Sequence, residues 1–255
     1  MPLKVAAAQA ALGKKSYDQA VEDAEKLIHA ASKQGAKIVC LPEHWLLEHR
    51  KQAGNATDRM MAVAKSERIF LITGANYLHT KSGVRIRSTL IDPEGHIVGS
   101  QDKVHLFLEE RNVAVAGREY ALLEAALGKI GITVCYDNVF PEAARSLALR
   151  GADMLFVPSR ITSEGLDPWL LYLKTRALEN RIPIIAPNIF SPPRYPGGST
   201  IIDLKQATHG TPVILPEIVA SADAGEKVIV AEINIDQARQ LRQKRLAERI
   251  PEAYG

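Results

Sequence analysis

Apolar runs alternate with amphipathic stretches along the whole chain. Residues 3–10 are typical of a strand, and the next stretch carries apolar residues at the spacing of one helical face. These residues are Ala20, Ala24, Leu27, Ile28 and Ala31. Ser16, in the sequence Ser-Tyr-Asp-Gln, is suited to cap this helix, and Gly35 is suited to end it.

The same patterns predict a regular succession of strands and helices. Further strands are predicted at residues 37–41, 69–73, 86–91, 96–100, 120–126, 129–135, 153–158, 182–188, 199–204 and 227–234. Helices are predicted at about residues 57–66, 141–150 and 167–181, with a basic terminal helix capped by Asp236. Residues 191–198 and 208–225 are predicted loops. Because hairpins, such as the one around residues 92–95, interrupt the strand–helix alternation, we expect an α/β fold with mixed sheets in one domain, 1–255.

Charge and composition exclude several classes of protein. The 32 Lys and Arg residues nearly balance the 29 Asp and Glu residues, which argues against an electrostatic nucleic-acid binder. No apolar run approaches the roughly 18 residues of a membrane helix. Two cysteines cannot form a disulfide framework or a four-ligand zinc site, so we expect a protein of the reducing cytoplasm.

Three reactive side chains follow predicted strands. Glu43 follows residues 38–41, Lys103 follows residues 96–100, and Cys135 ends residues 130–134, shortly before a helix whose N-terminus would favour the thiolate. Side chains at the carboxyl ends of strands converge on one edge of an open α/β sheet, where an acid, an amine and a thiol would supply a base, a cation and a nucleophile. Each one taken alone is more often a surface charge or a buried structural cysteine, as we expect for Cys40.

Other catalytic arrangements have weaker support. His44 and His105 adjoin the carboxylate and the lysine, but they do not form a cysteine-protease signature. The sequence contains no Gly-x-Ser-x-Gly, Walker or Gly-x-Gly-x-x-Gly motif, so serine hydrolases, P-loop NTPases and dinucleotide enzymes lack support.

The three blocks that carry the reactive residues resemble the signature blocks of a known family. Residues 35–43, 103–106 and 134–142 are similar to those of the nitrilase superfamily, the carbon–nitrogen hydrolases. Further similarity lies in residues 92–95, 176–180, 198–203 and 231–233, so that the resemblance covers nearly the whole chain in order. It implies a four-layer α-β-β-α sandwich with two mixed sheets, and an enzyme without a metal or organic cofactor.

The resemblance also implies roles for individual residues. It makes Glu43 the general base, Lys103 the stabilising cation and Cys135 the nucleophile. Glu110, seven residues after the lysine, matches a second glutamate found in many members. The Lys103 ammonium and the Tyr136 backbone N–H would stabilise the oxyanion.

Some positions depart from the family pattern or bear on the branch. The family usually has Tyr-Arg before the lysine, where this chain has Gln101-Asp102. Asp137 is typical of amidases, since nitrilases usually carry Glu there, and Asn138 stands where carbamoylases often have Arg. We therefore expect a hydrolase of a small linear amide. Alternatives are an N-carbamoyl amine hydrolase, a nitrilase and a catalytically silent scaffold.

Candidate substrate-binding residues are Asn138, Arg160, Trp45 and Trp169. Arg160 could bind a substrate carboxylate through two hydrogen bonds, although a structural arginine is an equal alternative. The two tryptophans could line the pocket or belong to the core. The basic terminal helix is expected to be a solvated face, and the family resemblance implies a homodimer or a higher homo-oligomer.

Overall fold

The computed structural model describes residues 2–207 and 213–254. The α-helices in this part of the chain are α1 (Tyr17–Lys33), α2 (Ala56–Glu67), α3 (Pro141–Leu149), α4 (Leu166–Asn180) and α5 (Ile235–Ala247). The strands are β1 (Pro2–Gln9), β2 (Ile38–Cys40), β3 (Phe70–Ile72), β4 (Asn76–Thr80), β5 (Gly83–Ile91), β6 (Ile97–Asp102), β7 (Leu122–Ala125), β8 (Gly128–Ile132), β9 (Met154–Phe156), β10 (Ile184–Ala186), β11 (Phe190–Ser191), β12 (Tyr195–Pro196), β13 (Thr200–Gln206), β14 (Ile214–Ser221) and β15 (Lys227–Asn234).

Two large sheets contain most of these strands. The first sheet has the order β15-β1-β2-β3-β5-β4, with β6 paired to β5, and the second has the order β14-β13-β10-β9-β8-β7. In the first sheet β1, β2 and β3 are parallel, and in the second β8, β9 and β10 are parallel. The remaining pairs in both sheets are antiparallel. The expectation of mixed sheets is confirmed.

Three hydrophobic clusters define four layers. Strand β2 shows how the sequence builds them, because successive side chains of a strand point to opposite faces. Ile38 and Cys40 belong to the cluster between the two sheets, whereas Val39 belongs to the cluster under α1 and α2. A third cluster joins α3, α4 and α5 to the outer face of the second sheet. The layers therefore run α-β-β-α, as the family resemblance implies.

Local signals correctly predicted the first helix and the central hairpin. The Ser16 hydroxyl accepts a hydrogen bond from the Gln19 N–H at 3.2 Å, and Gly35 has a φ of +86° just after the helix. In the turn between β5 and β6, the Gly95 N–H donates to the Asp92 carbonyl at 3.0 Å.

Two predicted loops contain strands. Residues 191–198 hold most of the short β11–β12 hairpin, and residues 208–225 include all of β14. Strand β14 escaped the sequence analysis because it is a largely exposed edge strand, interrupted by Pro216, without a clear apolar alternation. Residues 208–212 of that predicted loop lie outside the described residues.

Two smaller expectations were also wrong. Strand β4 was not predicted, since its sequence Asn-Tyr-Leu-His-Thr offers few apolar positions. Helix α5 is capped by Asn234, whose side chain accepts the Gln237 N–H at 3.0 Å, and Asp236 lies inside the first turn. Asn and Asp are both good N-cap residues, so the sequence alone did not determine which of the two caps the helix.

Candidate active site

Backbone hydrogen bonds fasten the ends of strands from both sheets to one another. After β2, the Glu43 N–H donates to the Ser159 carbonyl at 3.3 Å. After β8, the Cys135 N–H donates to the Pro158 carbonyl at 2.9 Å. Residues 158–159, which follow β9, thus hydrogen-bond both to the segment that carries the Glu43 carboxylate and to the segment that carries the Cys135 thiol.

Lys103, which follows β6, places its ammonium between two carboxylates. Its side chain is fully buried, and Nζ lies 2.7 Å from Glu43 Oε1 and 2.8 Å from Glu110 Oε2. Burial by itself would lower the pKa of Lys103, but the negative charges of Glu43 and Glu110 and the hydrogen bond to Glu110 outweigh it and raise this pKa. The lysine is therefore a permanent cation at this site.

Glu110 lies in a short 3-10 turn, Leu108–Asn112, and both of its oxygens accept hydrogen bonds. Oε2 accepts the Phe107 N–H at 2.8 Å, and Oε1 lies 3.1 Å from His44 Nε2. Burial raises the pKa of Glu110, but the hydrogen bonds from His44, Lys103 and Phe107 and the lysine charge lower it to about 2. The neighbouring Glu109 is exposed, and among the described residues its carboxylate bonds within its own turn, so Glu110 is the glutamate that joins the cluster.

Cys135 is the first residue of the 3-10 turn Cys135–Val139 and has a φ of +46°. The Glu43 carboxylate and the Arg160 backbone N–H both lie near its thiol and act on its pKa. Burial and the Glu43 charge raise the pKa of Cys135 more than Lys103 and the Arg160 N–H lower it. The net effect on the thiol is opposite to the expected favouring of the thiolate, because burial and the Glu43 charge raise its pKa.

The backbone N–H of Tyr136, the residue after Cys135, is a further polar group at this site. Within the described part of the chain, no backbone or side-chain group accepts the Tyr136 N–H. This donor and the Lys103 ammonium both belong to the immediate surroundings of the sulfur. Their role in stabilising an oxyanion stays a prediction.

Comparison with known proteins is consistent with this geometry. The family model of carbon-nitrogen hydrolases matches residues 4–243. The chain belongs to the carbon–nitrogen hydrolase family. It is 33% identical to the deaminated glutathione amidase of Synechocystis sp., over 94% of this chain and 95% of that protein. It is 27% identical to the omega-amidase NIT2 of Xenopus tropicalis, over 86% and 84% of the two chains.

Solved structures share the fold. A carbon-nitrogen hydrolase from Helicobacter pylori G27 superposes with a TM-score of 0.85 at 21% identity, covering 100% of this chain and 97% of that chain. An E41L mutant of the amidase from Nesterenkonia sp. AN1, with the acetamide moiety of fluoroacetamide added to its active-site cysteine, gives 0.79 at 22% identity, covering 96% and 95%. The resemblance to the nitrilase superfamily is confirmed, and the protein is a carbon–nitrogen hydrolase.

Asp137 ties two of the hydrolase's signature blocks together. Its buried carboxylate accepts the N–H groups of Val104 at 3.2 Å, His105 at 2.7 Å and Val134 at 3.0 Å. The sequence analysis used Asp137 only to choose a branch of the family. Its place two residues after Cys135 was the available signal, but the three donors became visible only in the fold.

Gln101 and Asp102, which replace the usual Tyr-Arg, are both engaged. The buried Gln101 side chain donates to the Glu119 carbonyl at 2.9 Å and accepts the Ala121 N–H at 2.6 Å. Asp102 accepts two hydrogen bonds from Arg87, at 2.6 and 3.0 Å. The segment before Lys103 is therefore anchored without the family's aromatic and arginine pair.

Arg160 and Asn138 differ in their access to a ligand. The half-buried Arg160 guanidinium donates to the Tyr195 hydroxyl at 3.1 Å and lies 5.3 Å from the centre of that ring. No carboxylate of the described residues forms an ion pair with it. Asn138 is fully buried, and its backbone carbonyl accepts a hydrogen bond from Arg176 at 3.1 Å. Neither polar atom of its side-chain amide has a hydrogen-bond partner in the described residues, and its role in substrate binding stays a prediction.

Neither tryptophan belongs to the hydrophobic cluster that contains Cys135. Trp45 donates to the Thr73 carbonyl at 2.9 Å and packs in the cluster under α1 and α2. Trp169, on α4, packs in the cluster between the second sheet and its helices. Cys135 belongs to the cluster between the sheets. The suggestion that these tryptophans line the substrate pocket is corrected, and both are core residues.

The buried donors could suggest a metal centre. One ligand atom each from Glu43, His44 and Glu110 lies within 4.8 Å of the others. The Lys103 ammonium already makes short contacts to both carboxylates of this group. A cationic position between the carboxylates is thus taken by a side chain of the hydrolase itself.

No helix in the described part of the chain combines the length and apolar character needed to span a membrane.

Proposed function

We propose that this hydrolase cleaves the amide bond of a small linear amide through a thioester on Cys135. The observation that carries the proposal is the buried Lys103 ammonium, shared by Glu43 and Glu110, whose charge acts on the Cys135 thiol. Attack on an unreactive amide carbon requires such a base, cation and nucleophile. Two relatives named as amidases, 33% and 27% identical, support the choice of an amide.

Acylation begins when the sulfur attacks the carbonyl carbon. Because burial and the Glu43 charge raise the pKa of Cys135, the thiol keeps its proton until substrate binds. Glu43 then accepts that proton as the C–S bond forms. The oxyanion of the tetrahedral intermediate accepts hydrogen bonds from the Lys103 ammonium and the Tyr136 N–H. Loss of one such donor typically costs on the order of a hundredfold in rate.

Collapse of the tetrahedral intermediate breaks the C–N bond and leaves a thioester on Cys135. Hydrolysis of that thioester then regenerates the free enzyme. Glu43 gives its proton to the leaving nitrogen, which departs as ammonia or an amine. A water molecule then attacks the thioester while Glu43 accepts one of its protons. The C–S bond breaks, the carboxylic acid is released, and Glu43 returns a proton to the Cys135 sulfur. Glu110 remains ionised and holds Lys103 in place.

A substrate panel tests this proposal. Purified protein is incubated with linear amides, N-carbamoyl amines and nitriles, and released ammonia or amine is measured. We expect turnover of amides, its loss in Cys135→Ala, and its retention in Cys40→Ala, the matched control at the other cysteine. Turnover of nitriles alone would overturn the amidase assignment. No turnover, with Cys135 no more reactive than Cys40, would favour the silent scaffold.

Arg160 extends the proposal to the far end of the substrate. Most of its N–H donors have no acceptor in the described residues, and it lacks an acidic partner, so a substrate carboxylate would complete its hydrogen bonding. Its backbone N–H lies close enough to Cys135 Sγ to lower the pKa of that thiol. The distance between the guanidinium and the carbonyl carbon attacked by Cys135 is therefore about the length of one arginine side chain. A substrate whose carboxylate reaches Arg160 would need a short acyl chain.

The matching experiment compares glutaramate with the neutral valeramide. The ratio of their kcat/KM values should fall about ten- to a hundredfold in Arg160→Leu, because a charge-assisted pair of hydrogen bonds is lost. In Arg194→Leu, which removes an exposed arginine over the same Tyr195 ring, the ratio should stay as in the wild type. An unchanged ratio in Arg160→Leu would contradict the assignment.

The proposal also includes a single domain, a homo-oligomer and a cytoplasmic location. The family match over residues 4–243 supports one domain, and the two unpaired cysteines fit a reducing compartment. Exposed apolar side chains in the layer of α3, α4 and α5, Leu149 and Leu171, support self-association. Sedimentation velocity would test this assembly, and a monomeric mass at micromolar concentration would contradict it.

A further inference from the structure

His44 is a fully buried imidazole beside the proposed base, and the mechanism above does not use it. Its backbone has a φ of +56°, and its N–H donates to the Ala75 carbonyl at 2.7 Å. The ring stacks on Tyr77 with centroids 4.7 Å apart and an angle of 14° between the planes. The imidazole is thus held by its backbone and by one ring face.

The hydrogen bonding of His44 identifies its tautomer. Nε2 lies 3.1 Å from Glu110 Oε1 and 3.9 Å from Glu43 Oε1. Since Glu110 is ionised, it can only accept, and Nε2 must carry the hydrogen. Nδ1 is buried without a hydrogen-bond partner in the described residues. A hydrogen on Nδ1 would be an unsatisfied buried donor, so the geometry favours a neutral ring with its proton on Nε2.

The Nε2–H of His44 donates to Glu110, the carboxylate that competes with Glu43 for the Lys103 ammonium. Glu110 Oε1 accepts from both His44 and Lys103, while Oε2 accepts the Phe107 N–H. The same ammonium must stay 2.7 Å from Glu43 and within reach of an oxyanion at Cys135. Without the hydrogen bond from His44, less of the negative charge on Glu110 would be compensated. Glu110 would then attract the Lys103 ammonium more strongly.

We infer that His44 is a positioning residue, whose Nε2–H satisfies Glu110 so that Lys103 remains directed towards Glu43 and Cys135. This inference rests on the proposed function for its catalytic consequence. His44 acts through Glu110 and Lys103, so its loss should lower kcat and leave KM nearly unchanged. A hydrogen bond to a charged group is commonly worth about ten- to a hundredfold, and we expect at least the lower value in kcat.

Two substitutions separate the hydrogen bond from the backbone conformation. In His44→Gln the amide N–H₂ can occupy the position of Nε2, whereas in His44→Asn it can reach only the position of Nδ1. Asn adopts positive φ more readily than Gln, so a purely conformational role would favour the Asn variant. Both variants lose the ring stack on Tyr77.

The readouts are kcat and KM for the best amide and the rate of Cys135 alkylation by iodoacetamide. We expect His44→Gln to stay within about threefold of the wild type and His44→Asn to lose at least tenfold in kcat and in alkylation rate. Wild-type rates in the Asn variant, or equal losses in both variants, would overturn the inference. If the Asn variant does not fold, a folded Gln variant still decides, because tenfold slower alkylation there would also overturn it.

A double-mutant cycle with Glu110→Gln adds an independent measurement. In that background the carboxylate is absent, so His44→Asn should cause little further loss of alkylation rate. A full additional loss would mean that His44 acts elsewhere and would refute the inference. Alkylation needs no natural substrate. A wild-type protein that hydrolyses no amide would therefore refute the proposed function, while the His44 inference would still be decided by these rates.

Discussion

Glu110 provides a quantitative test of the charge arrangement around Lys103. Its pKa falls from an ordinary 4.5 to about 2, because hydrogen bonds from His44 and Lys103 and the lysine charge outweigh the effect of burial. A carboxylate with a lower pKa in the folded state stabilises the fold above pH 4.5, and this stabilisation disappears as the pH falls through about 2. At about 1.4 kcal/mol per pH unit, the contribution is about 3 kcal/mol at pH 7 and about 1.5 kcal/mol at pH 3.

The perturbation is Glu110→Gln, which keeps the shape and removes the ionisation. Urea unfolding at pH 7, 5, 4 and 3 gives the difference in the free energy of unfolding between wild type and variant. We expect this difference to fall by about half between pH 7 and pH 3. Glu109→Gln, the same change at the exposed neighbouring residue, should show a small difference at every pH. A Glu110→Gln difference that stays constant with pH would refute the assignment of an ionised, hydrogen-bonded carboxylate.

Three further predictions concern other parts of the hydrolase. Asp137→Asn should lower the free energy of unfolding by about 2–4 kcal/mol in urea titrations, because several buried N–H groups lose an ionised acceptor; a change below that range would argue against the tie between the two blocks. Ser16→Ala should cost about 1 kcal/mol by the same measurement, and Ser16→Thr should recover most of it, since the helix cap is lost and then restored. Iodoacetamide should modify Cys135 faster than the fully buried Cys40 in peptide mapping by mass spectrometry, and equal rates would contradict a substrate-accessible nucleophile.

The sequence by itself determined the layered α/β class and the family. Apolar alternation located most of the buried strands, and short-range signals such as the Ser16 cap and the turn ending at Gly95 were read correctly, because their physics lies within a few residues. The signature blocks identified Glu43, Lys103 and Cys135 as candidates. Edge strand β14 was missed because an exposed strand needs no apolar pattern.

Only the tertiary structure decided how the candidate residues act on one another. Lys103 and Glu43 are 60 positions apart, and their 2.7 Å contact exists because β2 and β6 end at the same edge of the first sheet. The direction of the Cys135 pKa follows from burial and from the nearby Glu43 charge, and neither can be read from the neighbouring residues in the chain. The same holds for His44, whose partner is 66 positions away. Hydrogen bonds and Coulomb interactions depend on distances of a few ångströms, and folding alone sets those distances between residues remote in sequence.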